Sequence, residues 1–157
     1  MTLESPQLTR VRQARAGLLL THPFFGVLSL KMNIRELTDI PTAGVDTRDL
    51  IFNPAFVDTL NNAELKGLIA HEVLHLALGH HARQGKRDKE RWNIAADYAL
   101  NPTLLADSFI LPPGGLVDAK YTGLSAEAIY EKLPKPGNGK PQPGGKPPIK
   151  PPVVKAA

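Results

Sequence analysis

Between Leu68 and Leu78 every residue is apolar except His71, Glu72 and His75. A helix that is apolar on nearly all sides is a buried helix. Ionisable groups inside one are costly unless they are paired or bound to something. The spacing offers a reason for the cost. Residues i and i+4 stack on one helical face, so both imidazoles can point at one ion with the i+1 carboxylate beside them. This is the H-E-x-x-H arrangement, in which two histidines hold zinc and the glutamate serves as general base. The chain has no cysteine, which removes disulfide scaffolds, thiolate catalysis and cysteine-type zinc sites. Any metal must then be held by nitrogen and oxygen.

Catalytic zinc normally takes a third protein ligand and keeps one position open. Asp97 is the expected third ligand. Asn93, Asp97 and Asn101 recur every four residues and form one polar stripe on a helix otherwise rich in Ala, Ile and Leu. An antiparallel second helix can deliver an oxygen that way. The alternative role for Asp97 is an acceptor that orients His71 or His75. His80 and His81 are the alternative ligands. If the first helix continued past Gly79, neither would share the face of His71 and His75. They would otherwise be a helix-end pair beside the last carbonyls. Tyr98 and Tyr121 are candidate donors to an oxyanion, against the plainer reading of two packed tyrosines.

The elements around this helix read as mixed α and β. Residues 6–20 have helical spacing through Leu8, Val11, Arg15, Leu18 and Leu19. Arg10, Arg12 and Arg15 on it are expected to form a solvated face. Residues 27–35 alternate, with Leu28, Leu30, Met32 and Ile34 on one side, which predicts a half-buried strand. A loop is expected over 38–45, a second strand over 48–53 and a short helix over 54–60. An edge position for that second strand would suit it to align a peptide by strand addition. Asn61 with Glu64 has capping-box spacing, and Gly79 is a plausible stop for the helix between them. A further helix over 91–100 should bend or end at Pro102. Residues 111–123 read as loop, and Ser125 should cap a last helix over 126–133.

Proline divides the chain. Residues 134–157 hold eight of the 15 prolines, four glycines, five lysines and no acid. They can bury almost nothing and are expected to form a disordered, extended tail, either a basic linker or a solvated terminus. The 14 basic and 15 acidic side chains of residues 1–133 leave that part at −1, so the overall charge of +4 is a property of the tail. The 157 residues are read as one globular domain, 1–133, followed by the tail. No segment has the length of a membrane span, and the run at Leu18–Leu20 is too short for a signal peptide, so a cytoplasmic protein is expected. No aromatic–basic stripe marks a nucleic-acid partner.

Four stretches together resemble a known family: AGLLLTHPFFG at 16–26, LIFNPAFV at 50–57, AHEVLHLALGHHAR at 70–83 and WNIAADYALN at 92–101. The chain resembles the putative metallopeptidase domain found at the N-terminus of bacterial VWA-like proteins, over nearly all of residues 8–133. The resemblance implies a zincin-like α+β fold, a small sheet packed on the central H-E-x-x-H helix with further helices around it. It implies His71 and His75 as ligands and Glu72 as base, and makes the Asp97 motif a family feature. Members typically continue into a VWA-like domain and associate with AAA-type ATPases, although no D-x-S-x-S metal-binding sequence is present in these residues. The function expected is a zinc-dependent metallopeptidase acting on a peptide or protein through a water activated by Glu72. The alternative is a non-proteolytic, metal-stabilised binding or assembly module.

Overall fold

The computed structural model describes residues 4–46 and 48–134. The proline-rich tail expected over 134–157 lies, apart from Pro134, outside them. Among the described residues there are seven α-helices and one three-stranded sheet, a mixed α+β arrangement. None of these helices is long and apolar enough to cross a membrane.

Helix α1 spans Pro6–Thr21 and is capped by Ser5, whose hydroxyl accepts from the Leu8 amide. Its arginines do more than face solvent. Arg10 donates to the Val57 and Leu60 carbonyls as well as to the exposed Asn62 side chain, and Arg15 to the Met32 carbonyl; Arg12 pairs at the surface with Glu4.

The strand expected over 27–35 is replaced by two elements. Pro23–Leu30 is helix α2, and only Asn33–Glu36 is strand β1. Pro23 sits at the start of α2, where a missing N–H costs nothing. Phe25, Gly26 and Ser29 are the residues buried on α2, a helical spacing that the alternating leucines conceal. An added Cβ at Gly26 would lie 2.6 Å from the Leu19 backbone, so α1 and α2 approach closely because this residue is glycine. That packing, rather than local pattern, selects the helix.

The loop expected over 38–45 contains strand β2, Ala43–Asp46. Strand β3, Asp49–Phe52, falls inside the expected 48–53. It is not an edge strand: the order is β1-β3-β2, with β3 parallel to β1 and antiparallel to β2. Both sides of its backbone are taken, so it cannot accept a peptide by strand addition. Ile51 and Phe52 are buried there as a fully covered strand should be.

Helix α3, Pro54–Asp58, leads into α4, Asn62–Ala77. The capping box forms as the spacing requires, with the Glu64 amide donating to Asn61 Oδ1 and the Asn61 amide to Glu64 Oε1. Gly79 ends the run at φ 67°, in the left-handed region that favours glycine. Helix α4 packs against α1, α2, α6 and β2 and is the centre of the fold. Gly67 is needed on it, because a Cβ there would sit 1.9 Å from the Ile110 carbonyl oxygen.

A four-residue helix α5, His80–Arg83, connects to α6, Lys89–Ala106. Pro102 neither ends α6 nor stands at its edge but lies inside it. Proline removes one N–H and crowds the preceding turn. Leu100 and Leu104, both without exposure, offset that by burying apolar surface on either side of it. Ser125 caps α7, Ala126–Lys132, which packs along α6.

The apolar side chains form two clusters. The larger joins Leu18, Phe52, Leu65, Ile69, Val73 and Leu104 with their neighbours from α1, the sheet, α4 and α6. The smaller lies between α6 and α7 around Trp92, Tyr121 and Ile129. Helix α6 contributes to both, and its polar stripe faces α4 between them.

Candidate metal centre

His71, Glu72 and His75 lie on α4 and are 0%, 0% and 4% exposed. Asp97 lies on α6 and is 1% exposed. The two helices bring one ligand atom each from His71, His75 and Asp97 within 4.8 Å of one another. His75 Nε2 is 2.8 Å from Asp97 Oδ1, His71 Nε2 is 3.1 Å from the same oxygen, and the two Nε2 atoms are 3.0 Å apart. A tetrahedral ion at the usual bond lengths of ~2.0–2.2 Å would hold its ligand atoms about 3.3–3.5 Å apart. The three atoms are a few tenths of an ångström from that arrangement.

The outer nitrogens of the histidines fix which face points inward. His71 Nδ1 is 2.9 Å from Asn101 Oδ1. The Asn101 amide nitrogen donates to the Leu116 carbonyl, which settles the amide's orientation and leaves its oxygen as acceptor for His71 Nδ1–H. A proton on Nδ1 leaves the lone pair on Nε2, the atom facing Asp97. His75 Nδ1 is 2.9 Å from His80 Nδ1. Trp92 stands edge-on to the His80 ring, and its Nε1 donates to the His80 carbonyl. Partners of this kind orient metal-binding imidazoles and set their tautomers.

The charge balance points the same way. Two carboxylates, Glu72 and Asp97, sit with almost no exposure beside two imidazoles whose Nε2 atoms face each other. Two N–H groups cannot both point across a 3.0 Å gap, so at least one inner nitrogen presents a lone pair. Two imidazole nitrogens and a carboxylate oxygen converging on one point, with a second buried carboxyl group on the adjoining residue of α4, suit a divalent cation. The residues present therefore fit a metal ion.

Of the alternative ligands, His80 is buried but meets His75 on its outer side, away from the converging atoms. His81 is exposed. Tyr98 and Tyr121 pack against each other at a tilt in the α6–α7 cluster, their ring centres 4.8 Å apart. Burial, then Tyr121 and Asp118, push the Tyr98 phenol above its ordinary value, which keeps it neutral. Neither tyrosine lines the cavity beside the site, so the structure does not bring an oxyanion donor from them.

That cavity has a volume of about 180 Å³. Val45, Leu76, Gly79 and Ala82 give it an apolar lining, and His75, His80 and Asn93 close its inner side. The last turn of α4 is not buried as its composition suggests: Leu76 and Leu78 are 39% and 42% exposed. Val45 and the neighbouring Asp46 come from β2, the strand read from sequence as a loop, and no pattern in four residues could have placed them here.

No curated protein and no solved structure matched the chain. A family model did, over residues 6–151, and its description is a putative metallopeptidase domain. With a match across most of its length and three ligand-type side chains converging between α4 and α6, the chain belongs to the putative metallopeptidase domain family.

Proposed function

We propose that this protein is a zinc peptidase of the H-E-x-x-H type with a zincin-like arrangement, in which His71, His75 and Asp97 hold the metal and Glu72 is the general base. The observation that carries the reading is the convergence of two imidazole nitrogens and one carboxylate oxygen at 2.8–3.1 Å between two buried helices. Zinc is the divalent metal best matched to a small nitrogen and oxygen set of this shape. When bound, such an ion polarises a carbonyl and makes a water more acidic.

The chain's residues supply the rest. Asn101 and His80 hold the imidazoles with their Nε2 atoms toward Asp97. Glu72 lies three residues before His75, one helical turn away on the same side. Its carboxylate takes the proton from a water as the water oxygen bonds to the peptide carbon, then gives it to the departing amine as the C–N bond breaks. The cavity at His75 provides the space for a peptide segment.

A second reading is favoured by one observation: His71, Glu72 and Asp97 are essentially without exposure, as in a closed structural metal site. In that case the metal stabilises a binding or assembly module and no hydrolysis occurs. Bound zinc together with casein hydrolysis, measured for the wild type and Glu72→Gln, separates the two.

A further inference from the structure

Three polar residues face the centre from α6, and two are accounted for. Asp97 points an oxygen at both histidines, and Asn101 orients His71. The third, Asn93, is 7% exposed, and its Nδ2 is buried with no hydrogen-bond partner. Buried amides are normally satisfied, and one that is not destabilises the fold that holds it. Asn93 also lines the cavity that reaches His75 and His80. It lies one helical turn before Asp97, on the same face of α6.

Resting on the peptidase reading, we propose that Asn93 is a substrate-binding residue that hydrogen-bonds the main chain of a peptide lying in this cavity, with an apolar side chain of that peptide seated against Val45, Leu76 and Ala82. A carboxamide offers a donor and an acceptor, the same pair that a peptide unit presents, so one side chain can engage the main chain without regard to sequence. The preference for an apolar side chain follows from the lining. The energetic logic is that of a site whose unmet hydrogen bond is completed only by its ligand.

The test uses the full chain with Asn93→Leu, close in volume but without the amide, and Asn93→Ala as its control. Zinc content, thermal midpoint, hydrolysis of fluorescein-labelled β-casein, and binding of the same casein to each variant in a Glu72→Gln background are measured together. The expected result is unchanged zinc, a midpoint equal to or above that of the wild type, and at least a tenfold rise in KM and in the casein Kd, with kcat changed far less. Unchanged KM and Kd would overturn the proposal while leaving the peptidase reading intact. So would loss of folding or zinc in both variants, which makes Asn93 structural, and so would absence of casein binding by the Glu72→Gln protein. Casein bound in an Asn93-dependent way but never cleaved by the wild type would support Asn93 and sink the peptidase reading.

Discussion

His75 and Asp97, 22 positions apart on two different helices, meet at 2.8 Å through Nε2 and Oδ1. Their contact joins the H-E-x-x-H segment to the polar stripe of α6. Removing Asp97 should therefore remove the third donor. Asp97→Ala, like His71→Ala, should fall from about one bound zinc per chain to a small fraction of that. Metal analysis after gel filtration checks it. Retention of stoichiometric zinc by Asp97→Ala would assign the third ligand elsewhere.

Removing the orienting partners should weaken the centre without abolishing it. Asn101→Ala frees His71 Nδ1, and His80→Ala frees His75 Nδ1. Each should lower zinc affinity by roughly 10–100-fold. Competition titration against a chelator measures the shift. Because an ion bound to the folded state alone stabilises it, EDTA should also lower the wild-type thermal midpoint, and by less in these variants.

Much of this centre is legible in the sequence because its parts are local. Two histidines four apart, a glutamate between them and an amide–carboxylate–amide stripe repeating every four residues are statements about helix faces, and α4 and α6 are long enough to make those faces real. The Asn61 and Ser125 caps and the Gly79 stop are legible for the same reason. Long-range choices are not. Whether Val27–Leu30 is strand or helix depends on how closely α1 comes to Gly26. Whether β3 is an edge depends on where β2 lies, and β2 is four residues with no periodic signal. Pro102 is tolerated inside α6 because of what Leu104 packs against, which a local rule cannot see.

Gly67 gives a test of packing next to the centre. Its Cα faces the Ile110 carbonyl so closely that alanine would have to displace backbone. Gly67→Ala should cost about 1–3 kcal/mol from overpacking, although alanine is the better helix former. Chemical denaturation with an unchanged slope would report it. A more stable variant would mean that the α4 contact with residues 110–111 is looser than described.

Arg83 and Glu127 tie α5 to α7 through paired hydrogen bonds. The Arg83 hydrogen bonds hold the Glu127 carboxyl below its ordinary value against a smaller opposing effect of burial. A carboxylate with a lowered folded-state pKa stabilises the fold above its unfolded pKa, and that contribution fades as pH falls toward the folded value. Both side chains are more than a third exposed, so the effect should be small. The midpoint difference between wild type and Glu127→Gln should be greatest near neutral pH and shrink below about pH 4.5. A difference that grows on acidification would contradict the assignment.

A metal held by His71, His75 and Asp97 that serves a hydrolysis in which Glu72 moves the proton must stay bound when Glu72 loses its charge, while turnover falls. The most direct measurement is zinc content and β-casein hydrolysis on the same samples of wild type and Glu72→Gln. The account predicts about equal zinc in both and turnover lowered by at least roughly 100-fold in the variant, the scale of a lost general base. Zinc-loaded wild type with no turnover, or equal turnover by Glu72→Gln, would contradict it.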